Sequence, residues 1–181
     1  MLIGLVGTLG SGKGIVRELL EERGFNGKIF SNVLNEELIK RGREITRENL
    51  QDIGNEIRNN EGTNALAKRL IASLDLTRDC FVDGARNPGE IEELKANGFV
   101  ILSIDAPREV RFKRMLERRA KRDPKTWDEF LKIEKRDLGE EDKAGQQVSK
   151  CMEMADFKLI NDLDIKDLNN KITEFLEKIK C

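Results

Sequence analysis

Short apolar runs of strand length alternate along this chain with longer stretches of helical period. LIGLV (2–6), KIFS (28–31), CFVD (80–83), FVILSID (99–105) and FKLI (157–160) have the composition of buried strands. The segments between them read as helices. SGKGIVRELLEERG is closed by Gly24, and NPGEIEELKANG has Asn87 as its cap, Pro88 at the first position and Gly98 at the end. In ITRENLQDIGNEIR, Leu50, Ile53 and Ile57 share one helical face, while Arg47, Gln51, Asn55 and Arg58 share another that is rich in arginine and amides. Strand and helix in regular alternation predict an α/β fold of three layers, a five-stranded parallel sheet flanked by helices. At 181 residues, without a linker or repeat, residues 1–181 read as one domain.

The first strand runs into GTLGSGKG, where Gly7, Gly12 and Lys13 satisfy the spacing of a phosphate-cradling loop and Gly10 adds a further glycine. A strand ends at Val6 and a helix begins near Ser11, so glycine N–H groups and a helix N-terminus converge on one point. This predicts nucleotide binding by Gly7, Thr8, Leu9, Gly10, Ser11, Gly12, Lys13, Gly14 and Ile15, with Lys13 reaching the β- and γ-phosphates. Asp83 ends the third strand, where a parallel-sheet NTPase holds a carboxylate near Mg²⁺, directly or through water. An Asp that merely forms a turn is the alternative.

Composition narrows the chemistry. Lys plus Arg (33) and Asp plus Glu (34) nearly cancel, so no global field points to nucleic acid or an anionic membrane. The absence of histidine removes imidazole-based zinc sites and Ser-His or Cys-His catalysis. Phosphoryl transfer survives, because it rests on positioning and on charge neutralisation by Lys, Arg and metal. Three separated cysteines, no long apolar run and no basic leader predict a soluble, cytoplasmic protein without a disulfide framework.

GTLGSGKG together with DGARNP resembles the adenylate kinase and wider nucleoside monophosphate kinase family, whose patterns are G-x-P-G-x-G-K-G-T and D-G-F-P-R. That resemblance implies that Asp83 is the magnesium-side carboxylate, acting through water, and that Arg86 is a ligand of the acceptor's phosphate. LSIDAPREVRFKRMLERR looks like the strand and helix leading into the lid of these kinases, and MADFKLINDLDIKDL looks like the last strand and helix of dephospho-CoA kinases. DPKTWDEF with ADFKLIN is also similar to archaeal P-loop proteins that look like these kinases. The likeness covers nearly the whole chain and implies acceptor-binding helices over about 32–75 and a short lid over about 113–137.

Within that lid, Lys113 to Lys125 carries seven basic residues, and Arg111, Arg114, Arg118 and Arg122 share a helical face. The resemblance implies that Arg118, Arg119 and Arg122 close over the triphosphate, with Arg136 a further candidate. A solvated face paired with Glu109 and Glu117 is the alternative. Three positions depart from the family: Ile15 stands where a hydroxyl would meet phosphate or the metal's water, and Asn32 and Asn35 stand where an Asp and an Arg are usual. Arg47, Gln51, Asn55 and Arg58 are then the candidates for acceptor recognition, unless that stripe is an ordinary exposed helix face. The expectation is a kinase moving the γ-phosphate of ATP or GTP, with Mg²⁺, to a nucleoside or deoxynucleoside monophosphate. It would be a monomer or homodimer. Dephospho-CoA kinase and a nucleotide-binding protein without catalysis are the alternatives.

Overall fold

The computed structural model describes residues 1–120, 123–139 and 144–180. Five parallel strands, β1 (Leu2–Gly7), β2 (Asn26–Ile29), β3 (Cys80–Asp83), β4 (Val100–Asp105) and β5 (Phe157–Ile160), form one sheet in the order β2-β3-β1-β4-β5. The glycine loop follows the central strand. It is flanked by the ends of β3 and β4, because Leu5 lies beside Asp83 and Gly7 beside Ile104.

Alternation along the strands sends side chains into two cores. Ile3, Leu5, Phe81, Leu102 and Ile104 face α1 (Lys13–Glu21) and α9 (Ile165–Ile179), whose Val16, Leu20, Leu168 and Ile172 close that layer. Val6, Val82 and Ile101 face the opposite layer of α2 (Phe30–Lys40), α3 (Arg47–Glu61), α4 (Ala65–Ala72), α5 (Pro88–Ala96) and α8 (Val148–Glu153). The expected three-layer fold is thus the observed one. α6 (Arg108–Arg118) and α7 (Trp127–Leu138) lie beyond the end of β4.

Two local details matter for the site. The second strand occupies 26–29 rather than 28–31, because Phe30 already belongs to α2 and is buried in the helical layer. β2 is a short edge strand with little apolar side chain of its own, so the pair Ile29 and Phe30 marks a junction rather than a strand interior. At α5, Asn87 and Glu90 form a reciprocal cap with Pro88 at the first helical position, and this fixes the chain just past Asp83.

Candidate functional site

The loop from Gly7 to Gly12 is held by its surroundings. A side chain at Gly7 would place Cβ 2.0 Å from the Ile104 carbonyl oxygen. Gly12 has φ of 95° and a Cβ there would lie 2.2 Å from Asn161 Nδ2, so both the backbone conformation and the space require glycine. Asn161, from the end of β5, donates to the Ser11 carbonyl at 2.8 Å, and Thr8 Oγ1 donates to Asp105 Oδ1 at 2.6 Å. Arg111 donates to the Leu9 carbonyl at 3.1 Å and to the Ala106 carbonyl at 2.8 Å, while Arg114 donates to the Asn161 carbonyl at 2.9 Å. Ile15 packs against the core beneath α1, so no hydroxyl follows Gly14 on the loop side.

Lys13 folds back over the loop and donates to the carbonyls of Gly7 and Thr8 at 2.8 and 2.9 Å. Burial lowers its pKa from the ordinary 10.5 to about 8, against the opposing pull of Asp83. Burial likewise pushes the Asp83 carboxyl above its usual range, although Lys13 and Arg17 favour its charged form. Arg17 Nε lies 3.3 Å from Asp83 Oδ2.

Beside these groups lies a cavity of about 290 Å³, lined by Lys13, Arg17, Arg47, Gln51, Arg58, Asp83, Arg86 and Asp137 among others. Three buried polar atoms on its wall, Arg17 Nε, Arg47 Nε and Asp83 Oδ1, have no hydrogen-bond partner. A larger hollow of about 500 Å³ lies among α6, α7, α8 and β5, where Thr8, Arg108, Arg111 and Glu134 line it, but it touches none of Lys13, Asp83, Arg47 and Arg86.

Not every candidate side chain meets the cavity in the same way. Arg58 touches it yet is committed to structure: its Nε donates to Glu90 Oε1 at 2.8 Å with both groups buried, and Nη1 reaches Asn55 Oδ1 and the Ala144 carbonyl. Asn55 serves that arginine and does not line the cavity, whereas Gln51 does. Arg86 donates to Gln146 Oε1 at 2.7 Å and faces Asp137. Arg118 is tied to Asp123 through two contacts of 2.7 Å, and Arg119 ends α6 in the left-handed region with φ of 50°; neither lines the cavity. Arg122 lies outside the described residues. Arg136 lies 4.0 Å from Asp52 of α3.

The inward face of α7 is acidic, in contrast to the basic stretch Lys113 to Lys125 that precedes it. Phe130, Glu134 and Asp137 are its buried residues. Phe130 stacks with Phe112 and Trp127, at centroid distances of 5.6 and 5.2 Å, and this seats α7 against α6. Glu134 takes Arg111 and also Arg108, the latter at 2.6 Å. Only about 50 Å³ of space separates α7 from the loop between Gly7, Lys13, Glu134 and Asp137.

The AAA domain family matches residues 6–131. The UPF0200 protein of Pyrococcus horikoshii is 32% identical over 99% of this chain and 97% of its own length. The chain belongs to the AAA domain family and to the UPF0200 proteins. Among solved structures, a shikimate kinase from Acinetobacter baumannii in complex with shikimate covers 99% of the chain and 94% of its own, with a TM-score of 0.58 at 18% identity. A gluconokinase from Sinorhizobium meliloti covers 98% and 91%, with a TM-score of 0.58 at 14% identity. These likenesses are of fold, a P-loop kinase-like fold. Among the described residues no helix is long and apolar enough to cross a membrane.

The same residues fit a magnesium ion supported by phosphate. Among the described residues no group of three or more acidic or cysteine side chains could hold a metal. Mg²⁺ usually relies on one or two carboxylates, several waters and substrate phosphates, and the unpartnered, buried Asp83 Oδ1 suits a metal-bound water in that scheme.

Asp137, Glu134, Arg17 and Asn161 escaped the sequence reading. Arg17 and Asn161 carried a usable signal, one a helical turn beyond Lys13 and the other at a strand end beside the loop. Nothing local marks Asp137, whose partners lie in α3 and after β3.

Proposed function

We propose that the protein is a small-molecule kinase that moves the γ-phosphoryl group of ATP or GTP to a nucleoside or deoxynucleoside monophosphate. The carrying observation is that Lys13, Asp83 and the pair Arg47 and Arg86 face one cavity, three of whose buried wall atoms make no hydrogen bond. Lys13 and the loop amides hold the donor phosphates. Asp83 would hold Mg²⁺ through water, and the ion would supply neutralisation of the charge on the transferring phosphoryl group. Arg47 and Arg86 clamp the acceptor's phosphate, a task suited to planar, always-charged guanidinium, while Gln51 offers an amide to the base or sugar. Helices α2 to α4 form the acceptor side, α6 and α7 the lid, and Arg118, Arg119 and Arg122 serve the triphosphate after the lid rearranges.

Ile15 and Asn35 favour a second reading, nucleotide binding without transfer, since they remove a hydroxyl and an arginine that the monophosphate kinases use. A panel of monophosphates and dephospho-CoA, each with ATP and Mg²⁺ and assayed for ADP, separates the two. With an acceptor that turns over, Asp83→Asn should leave ATP affinity within about tenfold but slow single-turnover transfer by at least about a hundredfold. Absence of turnover across the panel moves the protein to the non-catalytic reading. Wild-type rates in Asp83→Asn would take the metal away from that residue.

A further inference from the structure

The charges around the cavity do not balance by pairing within each element. Arg47 comes from the first turn of α3 and Arg86 from the turn before α5, and both point to a single carboxylate oxygen, Asp137 Oδ2 of α7. The separations are 3.5 Å for Arg47 Nη1 and 3.4 Å for Arg86 Nη1. Both exceed the roughly 2.7–2.9 Å of a good charge-assisted contact. Asp137 is nevertheless buried, and Arg47 Nε beside it has no partner. Arg86 Nη1 also donates to Gln146 Oε1 at 2.7 Å, so one carboxylate oxygen supplies the only negative charge that both guanidinium groups face here, at distances that diverging phosphate oxygens would shorten. Asp137 also borders the narrow space between α7 and Lys13, and so lies between the arginines and the glycine loop.

We propose that Asp137 is an internal occupant of the acceptor's anion site, and that it selects acceptors by charge. The carboxylate holds Arg47 and Arg86, and with them the end of α7, until a stronger anion replaces it. A phosphate monoester dianion brings two charges and three free oxygens and displaces Asp137. A monocarboxylate brings the same charge and geometry as Asp137 itself and gains nothing by exchange. The substrate class that follows is a phosphorylated acceptor rather than a hydroxy acid, a conclusion that rests on the acceptor role given above to Arg47 and Arg86. Exchange takes place on the wall of the cavity of about 290 Å³ that Arg47, Arg86 and Asp137 all line, and release of Asp137 frees the end of α7 that carries it.

Trp127, the single tryptophan, begins α7 and packs on Phe112 and Phe130 with centroids 5.2 Å from each, so its emission reports the seating of that helix. The intact protein is titrated with inorganic phosphate, and separately with acetate, at constant ionic strength. Emission and calorimetry are followed in wild type, Asp137→Asn and Arg47→Gln. Phosphate should bind wild type with a change in Trp127 emission, and acetate should give none. Asp137→Asn, which keeps the shape and removes the competing charge, should bind phosphate about tenfold more tightly. Arg47→Gln should lose the phosphate binding that changes Trp127 emission, leaving any phosphate held by the glycine loop, while remaining folded by circular dichroism. Unchanged or weaker phosphate affinity in Asp137→Asn overturns the proposal, as does acetate binding as well as phosphate. Tighter phosphate binding without turnover of any monophosphate would keep this proposal and remove the kinase reading. Turnover with unaltered phosphate affinity in Asp137→Asn would do the reverse.

Discussion

Raising the pH from 7 to 9 should weaken binding of the triphosphate by about tenfold. Lys13 has a pKa of about 8, lowered from 10.5 because its ammonium is enclosed by the loop and the cavity wall. The phosphates bind the charged form. About nine-tenths of the molecules carry that charge at pH 7 and about one-tenth at pH 9, a ratio worth ~1.4 kcal/mol. The sign follows from linkage: bound phosphates raise the pKa, so above pH 8 binding must take up a proton and affinity falls as pH rises. Phosphate itself, with a second pKa near 6, keeps a constant charge over the interval. Calorimetry with ATP and Mg²⁺ at pH 7, 8 and 9, in two buffers of different ionisation enthalpy, measures both effects. At pH 8 the uptake should be about half a proton per nucleotide. Equal affinity at the three pH values with no buffer-dependent heat would refute the reasoning, since a lysine titrating at 10.5 behaves in that way.

Two further substitutions test the supports of the site. Glu90→Gln should cost about 3–5 kcal/mol in urea denaturation, because Glu90 is buried against Arg58 at 2.8 Å and also receives the backbone N–H of Arg86 at 2.7 Å. A loss below about 1 kcal/mol would mean that Arg58 finds another partner and is free to meet the acceptor. Gly12→Ala should abolish measurable ATP binding and destabilise the fold by about 1–3 kcal/mol, through φ of 95° and the 2.2 Å approach to Asn161. Near-normal binding would show that the loop relaxes around a methyl group.

What was legible in the sequence was local. The loop glycines, Asp83 at a strand end, and Asn87 as a helix cap with Pro88 at the first helical position each show within a few residues, and each stands at its expected place in the fold. The arginine stripe of α6 shows why periodicity goes only so far. Arg111, Arg114 and Arg118 do lie at helical spacing, yet Arg111 is buried against the loop and Glu134, Arg114 is bound to Asn161, and only Arg118 is exposed. A repeat gives the face of a helix but not what packs against it. Arg58 and Glu90 are 32 residues apart, and Arg47 and Asp137 are 90 apart, so no window of sequence joins them. Lid residues were expected to be basic because a net excess of arginine and lysine marks Lys113 to Lys125; the acids that face the site sit one helix later, diluted by Lys132, Lys135 and Arg136.

Because β1 lies at the centre of the sheet, the first residues of the chain are among the last to be completed. Leu2 to Leu5 align with Cys80 to Asp83, Ile3 to Gly7 align with Val100 to Ile104, and the Ser11 carbonyl waits for Asn161, 150 residues downstream. Contacts at such separations form late and slowly. On the ribosome, chains emerge at about 5–20 residues per second, so the glycine loop waits about 8–30 seconds before the segment that braces it is made. Binding of ATP to nascent chains of increasing length should therefore switch on only after β5 has emerged.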